Sequence, residues 1–389
     1  MTAATPGPGK TVFLVATEES GDRLGAALMA ELQRRFDGTL RFAGVGGRAM
    51  AAQGLASQFP IEELSIVGLA AVARRLRPIL RRIRETADAA VAAEPAVVVL
   101  IDSPDFNLRV GRRIRARAQV IPIIDYVSPT VWAWRSGRAR AMRGFVDHVL
   151  ALLPFEPAAH DRLGGPPCTY VGHPLLEQVG LLRPDAAEAA RRAAVPPVLL
   201  ALPGSRRSEI RHHMTVFGEA LGRLAAQGTA FDLIMPTMPH LVDAVTEAAA
   251  AWPVAPRIVV GEDEKRAAFR IAHAALAKSG TVTLELALAG VPMVAAYKAG
   301  TVEAWLIRKV IRSDTVILAN LVLGDNVVPE FIQDDCTADN LAAALAEVMA
   351  DTPQRRRQVE AFARIDAVMT IGDRSPSEAA ADIVVAHMR

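Results

Sequence analysis

Residues 97–107, VVVLIDSPDFN, run through five apolar positions into Asp102, Ser103, Pro104 and Asp105. A carboxylate carried out of a buried strand is suited to taking a proton from a hydroxyl. Asp105 precedes the helical pattern FNLRVGRRIRARA and is also a good N-cap. Asp102 has no such structural task, which makes it first choice as a general base, with Asp105 second or as its orienting partner.

Two loops of similar construction suit phosphate. ALPGSRRSEI sets Gly204, Ser205 and Arg206 between an apolar run and a helical one. Free backbone N–H groups at a helix start and a guanidinium fork both bind anionic oxygens. AKSGTVTLELALAG repeats the plan with Ser279, Gly280 and Thr281, and adds Glu285 one turn into the helix. A carboxylate there can accept two hydrogen bonds from a vicinal diol such as ribose while the helix start holds a diphosphate. Each loop taken alone also fits a plain capped turn, and Thr281 with its following acid fits a capping box. Together they favour a nucleoside diphosphate. There is no G-x-x-x-x-G-K-[ST] loop, and GVGGR (44–48) departs from G-x-G-x-x-G.

A third group is richer in aromatic and basic residues. VATEESGDRLGAALMAEL (15–32) passes through Ser20, Gly21 and Asp22, where glycine admits a ligand or a neighbouring backbone and Ser20 or Asp22 is a ready N-cap. YVSPTVWAWRSGRARAMR (126–143) puts Trp132 and Trp134 ahead of Arg135. That is narrow for nucleic acid, for which no role is expected, and suits a sugar or acyl chain beside an anionic headgroup. In LSIVGLAAVARRLRPILRRIRE (64–85), Leu69 and Val72 open an apolar helical stripe, and Arg74, Arg75, Arg77, Arg81, Arg82 and Arg84 fill the positions between. Pro78 is expected to split it into two helices. A core helix with a solvated basic side is one reading, and a surface for anionic membrane or a phosphorylated lipid is the other.

Positioning these loops requires many short strands. TVFLVA (11–16), RFAGV (41–45), AVVVLI (96–101), QVIPIID (119–125) and HVLALL (148–153) alternate with helix-length segments. After a Gly/Pro-rich pause at 164–184 the pattern resumes with PVLLALPGS (197–205), FDLIMP (231–236), PRIVVG (256–261), HAALAKSG (273–280) and PMVAAY (292–297). This alternation predicts an α/β fold of two similar halves, each a parallel sheet with helices on both faces and ligands beyond the carboxyl ends of its strands.

Length and charge agree with two domains: 389 residues exceed what one core usually serves. Up to His173 there are 22 Lys+Arg against 16 Asp+Glu, or +6, and the total of +2 leaves −4 for the remainder. Residues 1–10, small and Pro/Gly-rich, read as a disordered leader and not as a signal peptide. No apolar run approaches the ~20 residues of a membrane span. Cys168 and Cys336 are far apart and outside any C-x-x-C pattern, which fits a reducing cytosol.

ESGDRLGA, GVGG, IVGL, IDSPDFN, YVSPTVWAWR, LPFE, VGHPL, LPGSRRSEI, KSGTVTLELAL and NLVLGDNVVPEFIQ occur in that order from residue 19 to about 333. This series resembles the lipid-A-disaccharide synthases, bacterial glycosyltransferases of the GT-B fold, with Thr17 where that family usually has glycine. The resemblance implies two Rossmann-like domains with a cleft between them. Residues 11–174 would take the acceptor and face the membrane, 175–355 would bind the UDP-sugar, and helices of 356–389 would pack back on the first domain. It implies inverting transfer from UDP-2,3-diacylglucosamine to the 6-hydroxyl of 2,3-diacylglucosamine 1-phosphate, giving a β-1,6 disaccharide 1-phosphate and UDP. Asn320 and Glu330 would border the donor, and His173 would join the acceptor side. The implied location is cytoplasmic, peripheral to an anionic inner membrane; a homo-oligomer is compatible with it, and no metal or other cofactor is expected. The runner-up is another GT-B enzyme using UDP-N-acetylglucosamine, a lipid-linked glycosyltransferase or a 2-epimerase.

Overall fold

A computed structural model describes residues 9–64, 69–300 and 315–389, and only the backbone of 69–76. Its contacts divide the chain into two compact units. One runs to Pro174 and takes in Ile371–Arg389; the other is Leu175–Thr370.

The first unit is built on β1 (Thr11–Ala16), β2 (Arg41–Val45), β3 (Val97–Ile101), β4 (Ile123–Tyr126), β5 (His148–Ala151) and β6 (Cys168–Tyr170). All pair in parallel, in the order β2-β1-β3-β4-β5-β6. Every residue of β3 is buried, because helices cover both faces of the sheet. The second unit repeats the plan with β7 (Val198–Leu202), β8 (Asp232–Thr237), β9 (Arg257–Val260), β10 (Ala274–Lys278), β11 (Met293–Tyr297) and β12 (Glu330–Ile332), in the order β12-β11-β10-β7-β8-β9.

Both sheets reverse their direction of growth at one place, between β1 and β3 in the first and between β7 and β10 in the second. Loops leaving adjacent strands there turn to opposite faces and open a crevice at the strands' carboxyl ends. The Ser20 and Asp102 loops flank one such point, and the Gly204 and Gly280 loops flank the other.

Several elements differ from the sequence expectation. Strands β6 and β12 were absent from it; each has only three residues, too few to display a period. Pro78 does not split its segment: one helix spans Leu69–Ala92, with Pro78 exposed and Ile83, Ala87 and Ala90 buried against the first sheet. Pro78 costs the helix one backbone bond, and the helix continues through it with the proline ring on the exposed side. The expected leader (1–10) lies outside the described residues except for Gly9 and Lys10.

The return to the first unit begins at Ile371 and not at 356. Helix Pro353–Ala363 stays with the second unit, held by buried Gln358, whose amide accepts from Met293 N (2.7 Å) and donates to Met293 O (3.0 Å). Helix Pro376–His387 lays Ala380, Ala381 and Val384 into the first core, and its Asp382 pairs with Arg35 at 2.6 Å.

Candidate active site

In the first unit, Asp102 and Ser103 are successive non-glycine residues in the left-handed region, with φ of 55° and 44°. Each costs about 1–3 kcal/mol, a cost that persists only where the surroundings impose it. Here Asn107 imposes it: its buried amide nitrogen donates to the carbonyls of Val15 (3.2 Å), Ile101 (2.9 Å) and Asp102 (2.8 Å). The bend turns the Asp102 carboxylate out of the strand, where it accepts from Ser20 Oγ at 3.3 Å. Ser103 Oγ donates to Glu18 at 3.1 Å, tying together the loops after β1 and β3.

Asp105 is no helix cap. Ser103 holds the N-cap position of helix Pro104–Arg117, without a side-chain bond, and Asp105 accepts from Arg138 (2.6 Å) and Arg135 (3.3 Å). The loop after β4 is strained too, at Val127 (φ 84°) and Arg135 (φ 50°). A β-branched residue at positive φ is a genuine outlier. Arg135 lies 4.3 Å over the Trp134 ring, whose Nε1 donates to Thr130 at 2.7 Å. Trp132 packs edge-on to Phe155 (5.2 Å) and donates to Glu156 at 3.3 Å. Burial pushes Glu156 up from 4.5 to about 8, so the acid is neutral near pH 7. Burial also raises Asp125 well above the ordinary range, with nearby Asp102 adding to the effect. His173 is partly buried, and that burial pushes its imidazole down to about 4.

Two expected acceptor-side residues are otherwise employed. Asp22 is buried, and its carboxylate accepts from Gly47 N (2.7 Å), Ala49 N (2.8 Å) and Met50 N (3.0 Å), capping the short helix Arg48–Ala52. A Cβ at Gly47 would lie 2.7 Å from Asp22 Oδ2, and one at Gly46 would lie 2.7 Å from Met50 Sδ, which accounts for the glycine pair in GVGG. Gly21 admits backbone, not ligand: a Cβ there would stand 3.3 Å from the Ile101 carbonyl.

The basic segment is only partly free. Arg82 pairs with Glu63 (2.6 Å) and Glu85 (2.9 Å) and stacks on Phe59, so it belongs to the fold. Arg77, Arg81 and Arg84 are exposed beside Leu80, which is 40% exposed. The side chains of Leu69, Val72, Arg74 and Arg75 lie outside the described residues.

The second unit holds a cavity of about 390 Å³ at its switch point, lined by Gly204, Ser205, Arg206, Gly280, Thr281 and Glu285 among others. Gly204 has φ +133°, and a Cβ there would lie 2.5 Å from Glu209. Glu209 holds the loop: it accepts from Ser205 N (2.9 Å) and pairs with Arg206 (3.2 Å) and Lys278 (3.1 Å). Burial raises its carboxyl, yet Lys278, the Ser205 N–H and Arg206 together bring it below the ordinary value.

Gly280, not Thr281, is the N-cap of helix Thr281–Leu288, so there is no capping box and Thr281 is exposed. Glu285 is paired with Lys265 at 2.8 Å. Thr237 at the end of β8, Met238 just after it, and Gly261, Glu262 and Lys265 after β9 help to line the wall. Sequence reasoning missed them, although the rule that sites follow strand ends applies to FDLIMPTMP and PRIVVGEDEK as well.

Three expected donor residues do not line this cavity. Ser279 is buried, its N–H bonded to Ala296 O at 2.8 Å. Asn320 is buried, accepting from Val328 N (2.9 Å) and donating to Val328 O (3.0 Å) and Thr315 (3.3 Å). Glu330 accepts from Thr315 Oγ1 (2.9 Å) and Val316 N (3.2 Å). Both organise residues 315–330, because a buried polar side chain must satisfy its own bonds first.

Among the described residues there is no group of three or more metal-ligating side chains, and no helix is long and apolar enough to cross a membrane.

The family model described as lipid-A-disaccharide synthetase matches residues 12–384. Curated relatives include the lipid-A-disaccharide synthases of Nitrobacter winogradskyi, 66% identical over 99% of this chain and 98% of its own, and of Rhodopseudomonas palustris strain BisB18, 67% identical over 99% and 97%. Among solved structures, the fold is similar to a UDP-GlcNAc 2-epimerase from Neisseria meningitidis (TM-score 0.61, 12% identity, 97% of this chain and 99% of that one). It is also similar to MurG of Acinetobacter baumannii (TM-score 0.58, 15% identity, 97% and 99%). The chain belongs to the lipid-A-disaccharide synthase family, glycosyltransferases of two α/β domains.

Proposed function

We propose that the protein transfers 2,3-diacylglucosamine from UDP to the 6-hydroxyl of 2,3-diacylglucosamine 1-phosphate. Asp102 takes the hydroxyl proton as O6 bonds to the donor C1, the C1–oxygen bond to the diphosphate breaks, and UDP leaves. Attack from the opposite side inverts the anomeric centre and gives the β-1,6 linkage.

The observation that carries the chemistry is the left-handed Asp102–Ser103 pair at the switch point. Strain imposed on a carboxylate at the ligand edge of a sheet has no role in holding that sheet together. Two arginines already bind Asp105, both at Oδ1, which favours Asp102 as the base and Asp105 as a positioning residue. In the second unit the Ser205 loop, Arg206, Lys278 and the N–H groups opening helix Thr281–Leu288 suit the diphosphate, and Glu285 the ribose.

Exposed Arg77, Arg81 and Arg84 beside Leu80 support peripheral attachment to the anionic cytoplasmic face of the inner membrane. Replacing these three with alanine should lower binding to phosphatidylglycerol vesicles; unchanged binding removes the attachment.

The test of the reaction is to incubate the protein with UDP-diacylglucosamine and the monosaccharide phosphate and examine the product by mass spectrometry and proton NMR. The reading requires a disaccharide 1-phosphate with a β anomeric coupling; an α linkage or free sugar refutes it.

A further inference from the structure

Beside the proposed base lies a second, smaller cavity of about 200 Å³, lined by Arg109, Arg112, Arg135 and Arg138, with Leu108 and Phe145 contributing apolar wall. Asp105 is its acid. We infer that this pocket receives the phosphate monoester of the acceptor, an inference that rests on the acceptor reading given above.

Asp105, Arg109 and Arg112 are spaced i, i+4 and i+7 on helix Pro104–Arg117 and therefore share one face. Arg135, in the loop after β4, and Arg138, in the short helix Gly137–Met142 that follows it, reach the same place and bind Asp105 at 3.3 and 2.6 Å. No carboxylate among the described residues pairs with Arg109 or Arg112, and Arg112 rests on the Phe145 ring at 5.2 Å. The pocket thus gathers four guanidinium groups around one carboxylate. Like charges held at helical spacing repel. An excess of positive charge against a low-dielectric wall is the setting in which guanidinium forks bind a dianionic phosphate.

Position selects the acceptor. Asp105 is three residues from Asp102, at most about 11 Å along a fully extended chain. In a hexosamine 1-phosphate the ring oxygen joins C1 to C5, and C5 carries C6, so the 6-hydroxyl and the 1-phosphate project from the same edge of the ring. A 6-hydroxyl at Asp102 therefore leaves the 1-phosphate within reach of this pocket. Asp105 then holds Arg135 and Arg138 in place for it.

A phosphodiester headgroup of the bilayer offers related chemistry, so the test separates the two sources. Arg109 and Arg112 are exposed and make no ion pair among the described residues, and the double variant R109Q/R112Q keeps good helix formers. Kinetics in detergent with 2,3-diacylglucosamine 1-phosphate should show its KM raised about 100-fold, roughly tenfold per charged hydrogen bond lost. The donor KM should be unchanged. Turnover of the 1-dephospho acceptor should be poor in the unaltered protein and no worse in the variant. Equal losses on both acceptors, or none on either, overturn the inference. So does a variant that loses phosphatidylglycerol-vesicle binding and keeps its acceptor KM, which would assign the pocket to bilayer lipid. If the unaltered protein makes no disaccharide, the proposed function fails on its own. The pocket is then judged by phosphorus NMR line broadening of glucosamine 1-phosphate, which the double variant must reduce; equal broadening refutes it.

Discussion

Lys265 offers a direct test of how the donor cavity recognises its nucleotide. Its ammonium lies 2.8 Å from Glu285 and 2.9 Å from Glu262, and both Lys265 and Glu285 are largely buried, with 20% and 15% of their side chains exposed. Burial alone would lower the Lys265 pKa, but Glu285 and then Glu262 raise it above the ordinary value, so the ammonium keeps its charge at neutral pH. Lys265→Met keeps most of the side chain's length and its helix propensity and removes the ammonium with its hydrogen bonds. Glu285 is then without its cation, and a charge-assisted hydrogen bond is worth about 1.5–3 kcal/mol. The UDP Kd should rise about 10- to 100-fold. Isothermal titration with UDP and with its 2′,3′-dideoxy analogue identifies the route of the loss. If Lys265 acts by holding Glu285 toward the ribose, the variant loses affinity for UDP and little for the analogue. Equal weakening of both nucleotides would mean that Lys265 serves the diphosphate directly. An unchanged UDP Kd would refute the placement of the nucleotide in this cavity.

Gly204→Ala should weaken UDP binding at least about tenfold while lowering stability by only about 1–3 kcal/mol, because a Cβ at φ +133° meets Glu209 at 2.5 Å and displaces the Ser205 loop; wild-type affinity in calorimetry would contradict a phosphate role for that loop. Glu156 predicts a pH effect. Its folded-state value, about 8, lies above the ordinary 4.5, so the native state holds the proton and stability is lost as pH rises toward about 8. The loss from this one group between about pH 7 and 8 is about 1 kcal/mol, above the range in which the lowered histidines titrate. Urea unfolding of Glu156→Gln should show a flatter slope there than the unaltered protein, and equal slopes would refute the neutral buried acid.

What the sequence revealed, and what it hid, follows from the range of the interactions. The long apolar strands and the loops after β1, β3, β7 and β10 were legible because their signal is local: a buried run, then a turn residue, then a helical period. Strands β6 and β12 were not, since three residues at a sheet edge carry no period. Asp22, Asn320, Glu330 and Arg82 were read as exposed for ligand or lipid, yet their partners lie 5 to 28 residues away, apart from the helix neighbour Glu85 of Arg82. No local pattern announces such bonds. Lys265 and Lys278 were overlooked for a related reason: each looks like an ordinary charge near a helix start or strand end, and only the sheet order brings both to one cavity. Asp105 was read as a helix cap, yet it binds Arg135 and Arg138 from beyond the next strand and caps nothing.

The central claim is that Asp102, held in its left-handed turn, removes the acceptor proton. Asp102→Asn keeps the volume and the contact with Ser20 and removes the basicity. Single-turnover release of UDP from preloaded donor with saturating acceptor measures that step directly. The account predicts a fall of about 100-fold or more with UDP affinity and melting temperature unchanged, and UDP release at the unaltered rate would contradict it.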